Sequence, residues 1–131
     1  MYFLFDMCYN VPDESECQEL LKRYGTPAEV VAHCEAVSRK SQEIADSICF
    51  NCKLDRELVR SAAMLHDIAK TKKDHADTGA DFLAACGYPG IADVVRSHHC
   101  LKKEDLETVT EKSIVFYADK LIDGAVEVTL E

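Results

Sequence analysis

Apolar residues recur at three- and four-residue spacing along most of the chain, and turn residues cut the pattern into about six segments. A short helix is predicted over residues 14–24, stopped by Gly25. Thr26-Pro27 reads as N-cap and first helical residue of the next helix. That helix carries Val30, His33, Cys34, Val37, Ser41, Ile44 and Ile48 on one stripe. Asp55 caps a third helix, with Leu58, Ala62, Leu65, His66 and Ala69 on its inner face. A lysine-rich turn leads to a fourth near Asp74 or His75, with Gly79, Phe82, Leu83 and Cys86 inward, ended by Gly87. Pro89 opens a fifth bearing Ile91, Val94, Val95 and His98. A polar loop over residues 100–109 precedes a sixth with Ile114, Val115, Ala118, Asp119 and Ile122 on one face. No stretch alternates with a two-residue period, so no sheet is expected. The pattern predicts an all-α bundle of about six helices.

Composition adds bounds. The 131 residues suffice for one hydrophobic core, and 47% hydrophobic with 30% charged residues is the balance of a globular domain. With 24 acidic and 15 basic residues the net charge is -9. Such a surface repels a nucleic-acid backbone and an anionic membrane, so neither is expected as a partner. It leaves room for a small anionic substrate in a cleft of opposite local charge. The amino end is expected to be neither signal peptide nor membrane span, because its apolar run is short and lacks a positive leader. Seven scattered cysteines then point to reduced thiols in a cytoplasm. Cys49 and Cys52 form a lone CxxC, read as packing thiols rather than a redox pair. Residues 1–13 form a separate arm. Its Tyr2, Phe3, Leu4 and Phe5 need a surface to bury against, on the domain or on a second copy in a homo-oligomer.

The chemistry lies in the polar residues that interrupt apolar stripes. His33, His66 and His98 fall on the inner faces of three helices, and Asp119 sits beside the stripe of a fourth. A buried polar group is costly without compensation, and a single such histidine is ordinarily a hydrogen-bonded core residue. Four helices doing this at once, with Asp67 adjacent to His66, point to one shared partner. A divalent metal accepts neutral imidazole and carboxylate together.

These residues resemble the H…HD…D signature of the HD-domain metal-dependent phosphohydrolases. The resemblance extends to "AAMLHDIAK" at 62–70, "HADTGADFL" at 75–83, "VVRSHH" at 94–99 and "VFYADKL" at 115–121, and covers about residues 14–123. It assigns residues 14–131 to one HD domain. It implies that His33, His66, Asp67 and Asp119 hold a first metal. In two-metal relatives the HD aspartate bridges to a second ion held by two more histidines, and His75 and His98 stand at matching positions. His99 lies about a hundred degrees around the helix from His98, so His98 is taken as the ligand and His99 as a contact to substrate or to the ligands. All five histidines are then used, which favours two ions over one; manganese, iron, nickel and magnesium all suit the set.

The implied reaction is cleavage of a phosphate ester or anhydride by metal-activated water, with Asp67 and Lys70 in catalytic roles. Lys70 matches the lysine of the family's HDxxK word; it reads equally as a helix-end lysine satisfying carbonyls. Arg96, with Lys72, Lys73, Lys102, Lys103 and Lys120, lies near the ligands in sequence. These form a positive rim for substrate or are simply solvated surface charges. Gly87-Tyr88-Pro89 spells the HD-GYP tripeptide but precedes the histidine pair, and serves as helix stop and start. The words "YGTPAEVVAHCEAV" at 24–37 and "YADKLIDG" at 117–124 resemble short HD domains found alone or behind nucleotidyltransferases, more than the diadenosine tetraphosphate hydrolases. A small phosphorylated substrate, a nucleotide in type, is the expected partner. Two alternatives use the same ligands: a di-iron oxygenase, and a non-enzymatic metal-dependent nucleotide-binding regulatory module.

Overall fold

The computed structural model describes residues 10–48, 54–98 and 100–128. Cys49, Cys52, His99 and residues 1–9 of the arm lie outside the described residues. Seven helices and one short hairpin are found among them: α1 (Glu14–Tyr24), α2 (Ala28–Ile48), α3 (Arg56–Leu65), α4 (His75–Ala85), α5 (Pro89–Arg96), α6 (Lys103–Glu107), α7 (Glu111–Lys120), β1 (Ile122–Asp123) and β2 (Val126–Glu127). The all-α reading holds. None of the helices is long and apolar enough to cross a membrane.

The helix boundaries follow from local chemistry. Asp13 and Glu16 close a reciprocal capping box at the start of α1, and Gly25, at φ 85°, ends it by donating to the carbonyls of Leu21 and Lys22. Asp55 caps α3 by accepting from the Leu58 amide at 3.0 Å. Gly87, at φ 95°, and Pro89 separate α4 from α5 as their residue types require. Thr26 departs from expectation. Its hydroxyl donates to the Ile68 carbonyl at 2.8 Å instead of capping, so α2 begins at Ala28, with the Pro27 carbonyl accepting the Val30 and Val31 amides.

Helix α3 is the hub: α1, α2, α5 and α7 all pack on it, while α2 also packs on α7 and α4 pairs with α5. Leu21, Val37, Val59, Leu65, Ile68, Leu83, Ile91, Val95 and Val115 form the middle of one continuous core. The end of the arm is stitched to this hub, since the Pro12 carbonyl accepts the Ser61 hydroxyl at 2.6 Å and the Arg60 guanidinium at 3.3 Å. The described cysteines Cys17, Cys34, Cys86 and Cys100 are free thiols.

Two features were not expected. The polar loop holds α6, whose buried Asp105 accepts from the Thr110 hydroxyl at 2.9 Å and so ties α6 to the start of α7. The chain also forms a two-stranded antiparallel ladder, with Ile122 opposite Glu127 and Asp123 opposite Val126. Two-residue strands are too short to show a period, and the turn at Gly124, at φ 62°, is what makes the reversal possible.

Ser41 on α2 is fully buried, and its hydroxyl has no hydrogen-bond partner among the described residues. Ser41→Ala should stabilise the fold by about 1 kcal/mol, removing an unsatisfied hydroxyl and raising helix propensity. Urea unfolding followed by circular dichroism measures this; a loss of stability would mean that the hydroxyl is satisfied.

Candidate metal centre

The candidate ligands sit mostly where helices stop or start. His33 is inside α2; His66 and Asp67 follow the last residue of α3; His75 is the first residue of α4; His98 lies two residues past α5; Asp119 is next to last in α7. Periodicity predicts that α3 runs through Ala69, yet it ends at Leu65, and residues 66–72 continue as tight turns closed by three-residue hydrogen bonds from Ile68, Lys70 and Lys72. The side chain that follows Leu65 competes with the helix at this point. His66 Nδ1 approaches the Ala63 carbonyl at 2.6 Å, sharing that acceptor with its own backbone amide. His98 repeats the device after α5, with Nδ1 2.7 Å from the Val95 carbonyl. In both places an imidazole just past the helix end binds the carbonyl three residues back.

The turn that leads from Asp67 to His75 is compressed. Asp74 is left-handed at φ 52°, a region Asp tolerates better than most residues. Gly79 lets α4 seat against this turn, because a Cβ there would meet the Ile68 Cγ2 at 3.0 Å and the Ala69 Cβ at 3.6 Å.

Six side chains converge. Asp119 Oδ1 lies 3.0 Å from His33 Nε2 and 3.2 Å from His66 Nε2. Asp67 divides its carboxylate. Its Oδ2 faces His33 at 3.5 Å and His66 at 3.4 Å, whereas its Oδ1 faces His75 at 3.4 Å and His98 at 3.3 Å. The donor atoms form two groups, His33/His66/Asp67/Asp119 and Asp67/His75/His98, and within each all lie within 4.8 Å of one another. His66, Asp67 and His98 are buried to 4% exposure or less.

The hydrogen bonds on the far side of the rings decide what the near side needs. A carbonyl only accepts, so Nδ1 carries the proton in His66 and His98, and also in His33, whose Nδ1 is 2.6 Å from the Gly124 carbonyl. A neutral ring of that tautomer presents a lone pair at Nε2. Each of those lone pairs faces a carboxylate oxygen, an arrangement stable only with positive charge between them: a proton on the ring or a metal cation. The protein's own field shows the same demand. Asp119, against burial and helped by the Gly124 carbonyl, raises the His33 pKa. Burial disfavours the His66 imidazolium, but Cys34, Asp119 and Asp67 outweigh it and hold its pKa well above the ordinary value. Burial likewise works to raise Asp67 and Asp119, and the facing imidazoles overcome it, leaving both carboxyls far below the usual carboxylate range. His75 moves the other way, lowered by burial although Asp67 opposes it. Neutral imidazole and anionic carboxylate are the donors that first-row divalent metals take, and the cluster is able to hold such an ion.

A cleft of about 490 Å³ opens onto His33, Asp67 and Asp119. Lys70 and Lys120 stand in its wall with Glu29, Asp123, Val30 and Ile122. Glu29 and Asp123 were missed by sequence reasoning. Glu29 precedes His33 by one helical turn, a signal that was available; Asp123 belongs to the hairpin, which left none. Arg96, expected as a substrate contact, is elsewhere: its guanidinium donates to Asp77 at 3.0 Å and Asp81 at 2.8 Å, stapling α5 to α4, and it does not line the cleft.

Comparison with known proteins agrees with this geometry. Residues 30–123 match the HD domain family, a span that contains all six converging side chains. The tRNA (cytidine(56)-2'-O)-methyltransferase of Picrophilus torridus is 40% identical over 76 residues, covering 56% of this chain and 21% of that protein. The enzyme of the same name from Thermoplasma volcanium is 30% identical over 131 residues, covering 87% of this chain and 38% of that protein. An uncharacterised protein of Methanocaldococcus jannaschii is 31% identical over 120 residues, covering 78% of this chain and 71% of its own length. The chain thus spans well under half of either methyltransferase. No solved structure matches it.

Proposed function

The chain belongs to the HD domain family, and from that premise we propose that it is a metal-dependent phosphohydrolase acting on a phosphate ester or anhydride of a small nucleotide-like substrate. The observation that carries this reading is the divided carboxylate of Asp67, with one oxygen toward each of two histidine groups. His33, His66, Asp67 and Asp119 would hold one divalent ion; Asp67, His75 and His98 would hold a second. Manganese, iron, nickel and magnesium are the candidates. Ions bound there lower the pKa of water and offset the charge of a phosphoryl group.

The remaining work falls to the chain itself. Lys70 and Lys120 are the cations of the cleft wall, and they meet the phosphate charge of a substrate lying across Asp67 and Asp119. Val30 and Ile122 offer apolar surface for a base or leaving group. The net charge of -9 works against a long polyanion and favours a small substrate.

A second reading follows from the similarity to two tRNA methyltransferases: the same centre would act on a phosphate at the end of an RNA. One assay separates them. Phosphate release is followed with mononucleotides, dinucleoside polyphosphates and short RNAs bearing terminal phosphates, with each of the four metals added in turn. Turnover of the small nucleotides supports the first reading, and turnover confined to the RNAs replaces it with the second. Metal and nucleotide binding without turnover anywhere overturns both and leaves a binding module.

A further inference from the structure

The histidines of the centre are not all oriented by the same kind of partner. His66 and His98 take their carbonyls from three residues back, so their ring positions are fixed locally by the ends of α3 and α5. His33 stands in the interior of α2, where the helix uses its own carbonyls. Its Nδ1 instead reaches Gly124, 91 residues further along the chain, at 2.6 Å. Gly124 is the turn of the β1–β2 hairpin.

That hairpin is fastened to α2 at a second point. Glu127 on β2 lies 2.9 Å from the ammonium of Lys40, which is one of the few buried charges among the described residues and also meets Glu43 at 3.2 Å. Lys40 follows His33 by seven residues, two turns along the same face of α2, or about 10 Å along the axis. The Val128 amide donates to the Leu121 carbonyl at 2.7 Å and closes the base of the hairpin. The hairpin therefore lies along α2, touching the metal-ligand histidine with its turn and Lys40 with its second strand.

We infer that this hairpin is a positioning element for one half of the metal centre: the Gly124 carbonyl holds His33 in the Nδ1–H form with Nε2 toward Asp67 and Asp119, and the remote Lys40–Glu127 pair sets how firmly it does so. Glu127 and Lys40 belong to neither donor group. Their influence reaches the His33/His66/Asp67/Asp119 group only, because His75 and His98 are placed by α4 and α5. The inference rests on the two-ion reading above.

The test uses the full chain with Glu127→Gln, Lys40→Met and the double variant. Titration calorimetry with manganese should show one of two binding affinities weakened about tenfold in each single variant and no further in the double, with the other affinity unchanged. In the metal-free protein at alkaline pH, the His33 ring nitrogens, assigned with His33→Gln, should move from a pure Nδ1–H signature in the wild type toward a tautomer mixture in the variants. Parallel weakening of both affinities would identify general loosening and overturn the inference. Unchanged affinities or an unchanged His33 signature would overturn it as well. Glu127 is exposed, so Glu127→Gln keeps the test available if Lys40→Met does not fold. A wild type that binds no metal defeats the phosphohydrolase reading, while the nitrogen signature still decides whether the hairpin holds His33.

Discussion

Asp67→Ala will lower phosphate release by at least about a thousandfold at saturating metal, and bound metal will fall from two ions per chain to one or none. Asp67 is the only residue shared by the two donor groups. Its removal takes one oxygen from His33 and His66 and the other from His75 and His98. Asp67→Asn will do nearly as much harm with no change in volume. It replaces one carboxylate oxygen with an NH2 group that has no lone pair to offer, and leaves the other as an uncharged carbonyl oxygen. Inductively coupled plasma analysis alongside steady-state rates checks both statements. Retention of a tenth of the activity by either variant would remove Asp67 from the reaction.

Stripping metal with a chelator will lower the melting temperature by about 10 °C, and adding back manganese, iron, nickel or magnesium will restore it. An ion present at a hundred times its Kd stabilises the folded state by about 2.7 kcal/mol, which for a chain of this size corresponds to roughly that shift. The pH dependence carries a further signature. His33 and His66 have raised pKa values in the fold, so their contribution is complete below the unfolded histidine pKa and is lost as pH rises through the folded values. Asp67 and Asp119 are depressed, so theirs is present above the unfolded carboxylate pKa and is lost as pH falls toward the folded values. The metal-free protein therefore melts at lower temperature on the alkaline side of neutrality. The loaded protein gains there, because the ion requires neutral rings. Scanning calorimetry across pH with and without metal measures both trends; a melting temperature indifferent to all four metals would argue against a metal centre.

His33, His66 and His98 were legible because burial is written in periodicity, with Asp119 beside a stripe and Asp67 adjacent to His66; His75 was reached only through the resemblance to HD domains. The helix stops at Gly25 and Gly87 and the cap at Asp55 were legible because each residue type has a single local use there. The end of α3 was not. Leu65, His66 and Ala69 continue the helical period, yet the helix stops where the His66 ring takes the Ala63 carbonyl, a competition that spacing does not record. The hairpin was hidden by its length. Arg96 was misplaced for a geometric reason: two residues before His98 puts it about 200° around the helix, toward Asp77 and Asp81 on α4 rather than toward the ligands.

The close seat of α4 at Gly79 bears on which cations the protein will accept. A methyl group at residue 79 would press on the Ile68 and Ala69 side chains of the turn carrying Asp67, so the close seat of α4 helps to set the separation of His75 from its carboxylate. A close-packed joint of this kind resists spreading around a large ion, and would favour smaller cations over larger ones. The melting temperature recovered with each added ion, calcium included beside the smaller ones, would then act as a gauge of the clearance at that joint.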